Sequence, residues 1–173
     1  MTNLQNRKHN RLENYDYSLN GLYFITICTK DRKCCLSEID VEPIVGADII
    51  RPQIRLKKIG KLLDYSINDI ENHYENISVV KYCIMPDHVH LIISIMNDII
   101  QINDGRIISA PTISTVIGSL KRYVSKNAGI SLWQKSFHDR IIRNEAEFKE
   151  IWQYIENNAL NWANHKYNQN SWR

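Results

Sequence analysis

An α+β fold, with a mainly antiparallel sheet and helices on one of its faces, is what this 173-residue sequence predicts. Three observations lead there. Short runs rich in β-branched and aromatic residues read as strands. Between them, apolar residues recur at helical spacing. The two kinds of segment then follow one another in the order β-α-β-β-α-β-α.

Each element can be justified in turn. "GLYFITICT" (21–29) is the first strand. A loop carrying Pro43, Gly46 and Pro52 follows, since these residues punctuate regular structure. Ile59, Leu62, Leu63, Ile67 and Ile70 place a helix over 57–74. "ISVVKYCI" (77–84) is a second strand, broken by Met85, Pro86 and Asp87, because proline has no N–H to give a ladder. "HVHLIISI" (88–95) is the third strand, and the pair forms a hairpin. Residues 97–111 form a polar loop around Asp104 and Gly105. Ile113, Val116, Ile117, Leu120, Tyr123 and Val124 mark an amphipathic helix, with Thr112 as N-cap and Gly129 as its stop. "WQKSFHDRIIR" (133–143) is a turn leading into a fourth strand. Asn144 and Glu147 resemble a capping box. They open a last helix over 145–160 with Phe148, Ile151, Trp152, Ile155 and Ala159 on its core face. This is the split β-α-β pattern, a ferredoxin-like or RRM-like architecture, plus an extra C-terminal helix. Helices on one sheet face would leave the other open for a ligand.

Length and composition fit one domain over 1–173 with a real core: hydrophobic residues are 43% and charged residues 24%. No apolar run nears the roughly 18 residues of a membrane span. The polar start "MTNLQNRKHNRLENYDYS" has no secretory h-region, so a cytoplasmic protein is expected. Cys28, Cys34, Cys35 and Cys83 have neither zinc nor disulfide-framework spacing and read as reduced thiols, with Cys28 and Cys83 in strands. A net charge of +3 permits a nucleic-acid partner without demanding one. The basic residues gather at Arg7, Lys8 and Arg11 in an arm over 1–18, at Arg55, Lys57, Lys58 and Lys61, and at Lys121, Arg122 and Lys126.

"MPDHVHLII" (85–93) carries the chemistry. Alternation along a strand sends His88 and His90 to the same face and Val89 to the other. Two neutral imidazoles so placed can hold one divalent cation, though an isolated H-x-H also suits two hydrogen-bonded structural histidines. The last helix tips the balance. In "EIWQYIENNALNW", Tyr154 and Asn158 stand at i and i+4 on one face, beside the apolar stripe. An asparagine offers an amide oxygen to a hard cation, and a tyrosine offers a phenol as nucleophile. Packed near the third strand, that helix would bring His88, His90, Asn158 and Tyr154 together.

A histidine–hydrophobic–histidine strand with a tyrosine on a late helix and a polar residue four places on resembles the HUH single-tyrosine transposases. The sequence is most similar to the REP-associated tyrosine transposases, through "YFITICT", "MPDHVHLII", "LWQKSFHDRIIRN" and "QYIENNA". The resemblance implies an endonuclease and strand transferase acting on single-stranded or hairpin DNA, as in transposition or the processing of repeats. His88, His90 and Asn158 would ligate a metal, Mg²⁺ or Mn²⁺, with Zn²⁺ or Ni²⁺ also acceptable to imidazoles. Tyr154 would be the nucleophile, forming a 5′-phosphotyrosine. Asn157, next to Asn158, competes for the third-ligand role, and Ala159 stands where many relatives have proline. Glu150, one turn before Tyr154, is a candidate proton acceptor. DNA would cross the open sheet face, touched by Arg7, Lys8, Arg11, Lys121, Arg122, Lys126, His138 and Arg143. Asp139 could brace the site, and Trp133 or Tyr23 could stack on bases. Some relatives are dimers with exchanged tyrosine helices, others monomers.

Two rivals stand beside this. A histidine-triad nucleotide hydrolase would need H-x-H-x-H, and the third place is Ile92. A non-catalytic nucleic-acid-binding protein derived from a transposase would keep the fold and lose the adduct.

Overall fold

The computed structural model describes residues 19–43, 50–96, 102–103, 106–107 and 111–170, with 41–43, 50–51, 102–103, 106–107 and 165–170 as backbone alone. The arm with Arg7, Lys8 and Arg11 lies outside the described residues. In chain order the elements are β1 (Gly21–Cys28), β2 (Ser37–Pro43), β3 (Ile50–Leu56), α1 (Lys58–Asn68), α2 (Ile70–His73), β4 (Ile77–Ile84), β5 (His88–Ile95), β6 (Ile102–Asn103), β7 (Arg106–Ile107), α3 (Ile113–Ala128), β8 (His138–Ile142), α4 (Glu145–Glu156) and α5 (Asn158–Asn170). A 3-10 turn, Lys30–Arg32, follows β1.

Four strands form the main sheet in the order β4-β5-β1-β8, every pair antiparallel. That is the predicted split β-α-β arrangement: β5 slots between β1 and β4, which the crossover through α1 has set apart. β5 is buried along its whole length, so its apolar run is continuous rather than alternating. Its odd residues, Val89, Leu91, Ile93 and Ile95, join Tyr23, Ile25 and Ile27 of β1 in the main core, together with Leu63, Ile67, Val116, Ile117, Leu120 and Val124 from α1 and α3. Each such aliphatic side chain contributes about 1.5–3 kcal/mol by leaving water.

The even residues face the other way, and here the structure corrects the expectation of an open face. Ile92 and Ile142 pack with Ile151 and Ile155 of α4, joined by Leu22, Phe24, Cys83, Phe148 and Trp152. The C-terminal helix thus lies across the second face and leaves only part of it exposed. Lys81 of β4 clamps it there, 3.7 Å from the Trp152 ring centre and 3.2 Å from Glu156.

The expected loop at 41–56 is instead a two-stranded ribbon, β2 paired with β3 from Ser37↔Leu56 to Pro43↔Ile50. Its prolines are tolerated because each strand of a lone ribbon is an edge. In the ribbon Arg55 pairs with Glu38 and Asp40, and Lys57 with Glu38, so two of the four cations of that basic cluster are paired with carboxylates. The expected helix over 57–74 is two, separated at Asp69. Within 97–111, Ile102–Asn103 pairs with Arg106–Ile107. The caps stand as expected: Thr112 accepts from the Thr115 N–H, and Gly129 ends α3 at φ 68°. Asn144 accepts from Glu147 N–H, while the Glu147 carboxylate reaches back one residue further than a capping box does, to the Arg143 N–H. The last helix runs past 160, as α4 and α5 joined at Asn157.

Candidate functional site

Strand pairing sets the floor of the site. Thr26 faces His90 across β1 and β5, and Cys28 faces His88; Thr26 also faces His138 of β8. All five side chains point to the face that α4 crosses. Tight packing holds both imidazoles, which are 6% and 3% exposed.

Each imidazole is oriented through its Nδ1. His88 Nδ1 lies 2.5 Å from the Asp87 carboxylate, and His90 Nδ1 lies 2.8 Å from the Thr26 hydroxyl. A carboxylate only accepts, so His88 donates Nδ1–H to Asp87 and presents a bare lone pair on Nε2. The two Nε2 atoms converge at 3.0 Å. Burial holds His88 below the usual histidine pKa, although Asp87 pulls the other way. Burial, then the neighbouring His88 and Arg32, pushes His90 down to about 3. Both rings are therefore neutral at pH 7, the form that ligates metals.

The C-terminal helices supply the roof. The Tyr154 hydroxyl is 3.4 Å from His90 Nε2, and the phenol packs edge-on against His90 and Phe24. Tyr154 is nonetheless 47% exposed as a residue and lines the open cleft. Asn158, at the start of α5, is buried and lines the same cleft, whereas Asn157 is exposed. Of the two neighbouring asparagines, only Asn158 lines the cleft with the histidines. One chain supplies all four side chains. The cleft is open, about 890 Å³, and is walled further by Phe24, Thr26, Cys28, Arg32, Gln134, His138, Asn161 and Trp162.

Other expected site residues are placed elsewhere. Lys121 does not stand free on the solvent side of α3: its Nζ bonds the Gln134, Lys135 and Ser136 carbonyls at 2.8, 3.4 and 3.2 Å. Arg122 and Lys126 line a different groove, with Asp69, His73 and Tyr74, on the α1–α3 side of the sheet. Arg143 is exposed at the entry to α4, and Glu150 is exposed outside the cleft lining. Tyr23 is wholly buried with its hydroxyl on the Leu19 carbonyl, and Trp133 is buried with Nε1–H on the Lys121 carbonyl; neither is available to a base.

Two cleft residues, Arg32 and Trp162, and the buried Asp87 behind His88 stand outside the expected set. In the sequence Asp87 reads only as a strand breaker. Arg32 bonds Asp87 at 3.0 Å through Nε and Cys28 Sγ at 2.8 Å through Nη1. It is aimed by two successive left-handed residues, Asp31 and Arg32, at φ 55° and 54°; non-glycine residues seldom adopt that conformation. Trp162 lies beyond the end expected for the last helix. An aspartate directly before H-x-H was the one signal in the sequence.

Among the described residues, no cluster of three or more His, Cys, Asp or Glu side chains could hold a metal; the polar groups of the cleft include two imidazoles and the Asn158 amide.

With this geometry in view, comparison with known proteins gives a consistent answer. The structure matches that of a REP-associated tyrosine transposase bound to a REP hairpin, with a TM-score of 0.59 over 87% of this chain and 74% of that one, at 17% identity. The fold is that of the tyrosine transposases. The family profile described as Transposase IS200 like matches residues 20–158, and the chain belongs to that family of DNA-processing transposases. It is also 29% identical to an uncharacterized protein of Haemophilus influenzae over 92% of this chain and 91% of that protein.

Proposed function

We propose that this protein cuts and rejoins single-stranded DNA through a covalent link between Tyr154 and the 5′-phosphate at the break, with a divalent cation held by His88, His90 and Asn158. The observation that carries the proposal is the Tyr154 hydroxyl 3.4 Å from His90 Nε2, where the two imidazole Nε2 atoms meet at 3.0 Å.

The donor set fits a cation. His88 presents a lone pair, and if His90 gives its Nδ1–H to Thr26 it presents a second one. Two lone pairs at that separation repel unless a cation lies between them. Asn158 adds a hard oxygen donor, which suits Mg²⁺ or Mn²⁺. When bound, such an ion neutralises charge on the scissile phosphate and orients it.

The residues of the chain do the rest. Phe24 and His90 hold the phenol on one line of approach. The bond from Tyr154 Oη to phosphorus forms as the bond from phosphorus to the 3′-oxygen breaks. The phenol proton passes to water in the open cleft that Tyr154 lines, and the departing oxygen takes a proton from solvent. The phosphodiester is exchanged rather than hydrolysed, so a 3′-hydroxyl can reverse the step with no nucleotide cofactor. The solved relative's REP hairpin makes a hairpin with single-stranded flanks the substrate to try first.

The test is incubation with such oligonucleotides and Mn²⁺, followed by a denaturing gel. A 3′-labelled strand should become attached to protein, and a 5′-labelled strand should be released with a free 3′ end. Tyr154→Phe should abolish the adduct and leave binding within about twofold, since one hydroxyl is lost from a half-exposed ring; chelation should abolish it too. An adduct that survives Tyr154→Phe would overturn the assignment. Binding by the wild type with no adduct would leave a nucleic-acid-binding protein in its place.

A further inference from the structure

Tyr154, Asn158 and Trp162 recur every four residues along α4 and α5. The helical hydrogen bonds run through the junction, from Asn157 N–H to Gln153 C=O and from Asn161 N–H to Asn157 C=O, each 2.9 Å. The three side chains form one row, with Trp162 roughly 12 Å beyond Tyr154 at 1.5 Å per residue. The histidines form a second row facing it. Tyr154 is matched to His90, ring centres 5.2 Å apart, and Trp162 to His88, ring centres 6.0 Å apart. Arg32 joins the His88 end through Asp87, its side chain 52% exposed. The cleft therefore has a nucleophile at one end. Across the histidine pair, its other end holds an indole and a guanidinium for which the strand exchange described above has no role.

In-line displacement puts the leaving oxygen opposite the attacking one. Attack by Tyr154 on a 5′-phosphate expels the 3′-oxygen of the preceding nucleotide. With the nucleophile at the His90 end, that nucleotide departs toward His88. We propose that the His88 end is the subsite for the nucleotide on the 5′ side of the cut, with Trp162 stacked on its base and Arg32 on its phosphate. The subsite retains the 3′-hydroxyl strand after cleavage, close to the phosphotyrosine it must attack for rejoining. The proposal rests on Tyr154 as nucleophile, and it fixes the polarity of the strand in the cleft.

Wild type first maps the cut. The base immediately 5′ of it, or the base immediately 3′, is then made abasic, and initial rates of adduct formation are compared in wild type, Trp162→Ala and Trp162→Phe. The 5′ abasic site should slow wild type roughly tenfold, the scale of one base–aromatic stack. It should have no further effect in Trp162→Ala, while Trp162→Phe should recover most of the rate. Affinity for the isolated 3′-hydroxyl product strand should fall by a similar factor in Trp162→Ala and in Arg32→Ala. Affinity for the 5′-phosphorylated strand should not change. Trp162→Ala as sensitive to the 5′ abasic site as wild type, or coupling of Trp162 to the 3′ base, would overturn the subsite while leaving the nucleophile intact. Absence of any 3′-strand adduct in wild type is a different result, and it would remove the nucleophile and the polarity together.

Discussion

Asp87 sets the direction of His88. It is 4% exposed, accepts from His88 at 2.5 Å and pairs with Arg32 at 3.0 Å. Such a carboxylate fixes the tautomer of its histidine and makes the other nitrogen a better ligand, and losing it commonly costs 10–100-fold in metal affinity. Asp87→Asn should therefore weaken Mn²⁺ binding by roughly that factor in calorimetric titration, with the melting temperature little changed. Affinity within twofold of wild type would show that Thr26 and packing suffice to orient the pair. The contrast between what was legible and what was not is sharpest at this scale. His88, His90, Tyr154 and Asn158 follow from two local periodicities, two residues per repeat in a strand and near four in a helix. Arg32 does not, because residue 32 meets residue 87 only through the pairing of Cys28 with His88, which no local pattern encodes.

Among the elements, the β2–β3 ribbon was the least visible in sequence and has the tightest joint. Pro43, Gly46 and Pro52 argued for a loop, and only the pairing of two short edge strands overrides them. The first turn of α1 docks against the start of that ribbon. Lys57 N–H donates to the Leu36 carbonyl at 2.9 Å, and a Cβ on Gly60 would sit 2.0 Å from that same oxygen. Glycine is required there by close approach of backbone to backbone, which cannot be relieved by a rotamer change. Gly60→Ala should destabilise the protein by about 1–3 kcal/mol or more, the scale of overpacking. Gly118→Ala, where a Cβ meets nothing within 4 Å, should stabilise by about 0.4–1 kcal/mol through the unfolded chain. Urea denaturation of the pair reads both signs, and equal effects would show that the Leu36 backbone yields. The C-terminal helix was legible in type and phase, yet its length was not: its apolar stripe supports a helix only to 160, two residues short of Trp162, whereas α5 continues to Asn170.

At the scale of the molecule, the sheet divides two kinds of surface. On one side α1 and α3 cover the main core, and Arg122 and Lys126 line a groove of about 310 Å³ with Asp69, His73 and Tyr74. On the other, α4 and α5 roof the histidine cleft. The order of elements predicted the sheet and its first face, but it could not show where the seventh element would lie, since an added helix can cap an edge or cross the free face. Its apolar stripe of Ile151 and Ile155 found Ile92 and Ile142, and that choice brings tyrosine to histidine. It also puts the sheet between the cleft and the two basic residues on α3. Fields of exposed charges fade over about 8 Å at physiological salt, so Arg122 and Lys126 should contribute little to a phosphate bound at His88 and His90. Reversing both, Arg122→Glu with Lys126→Glu, should change adduct formation on a short single strand by less than about threefold at physiological salt, with a larger effect at low salt, where such fields reach further. A loss of tenfold or more would mean that the strand wraps around the sheet onto α3. A loss confined to long or hairpin substrates would mean that the α3 face grips DNA away from the cut.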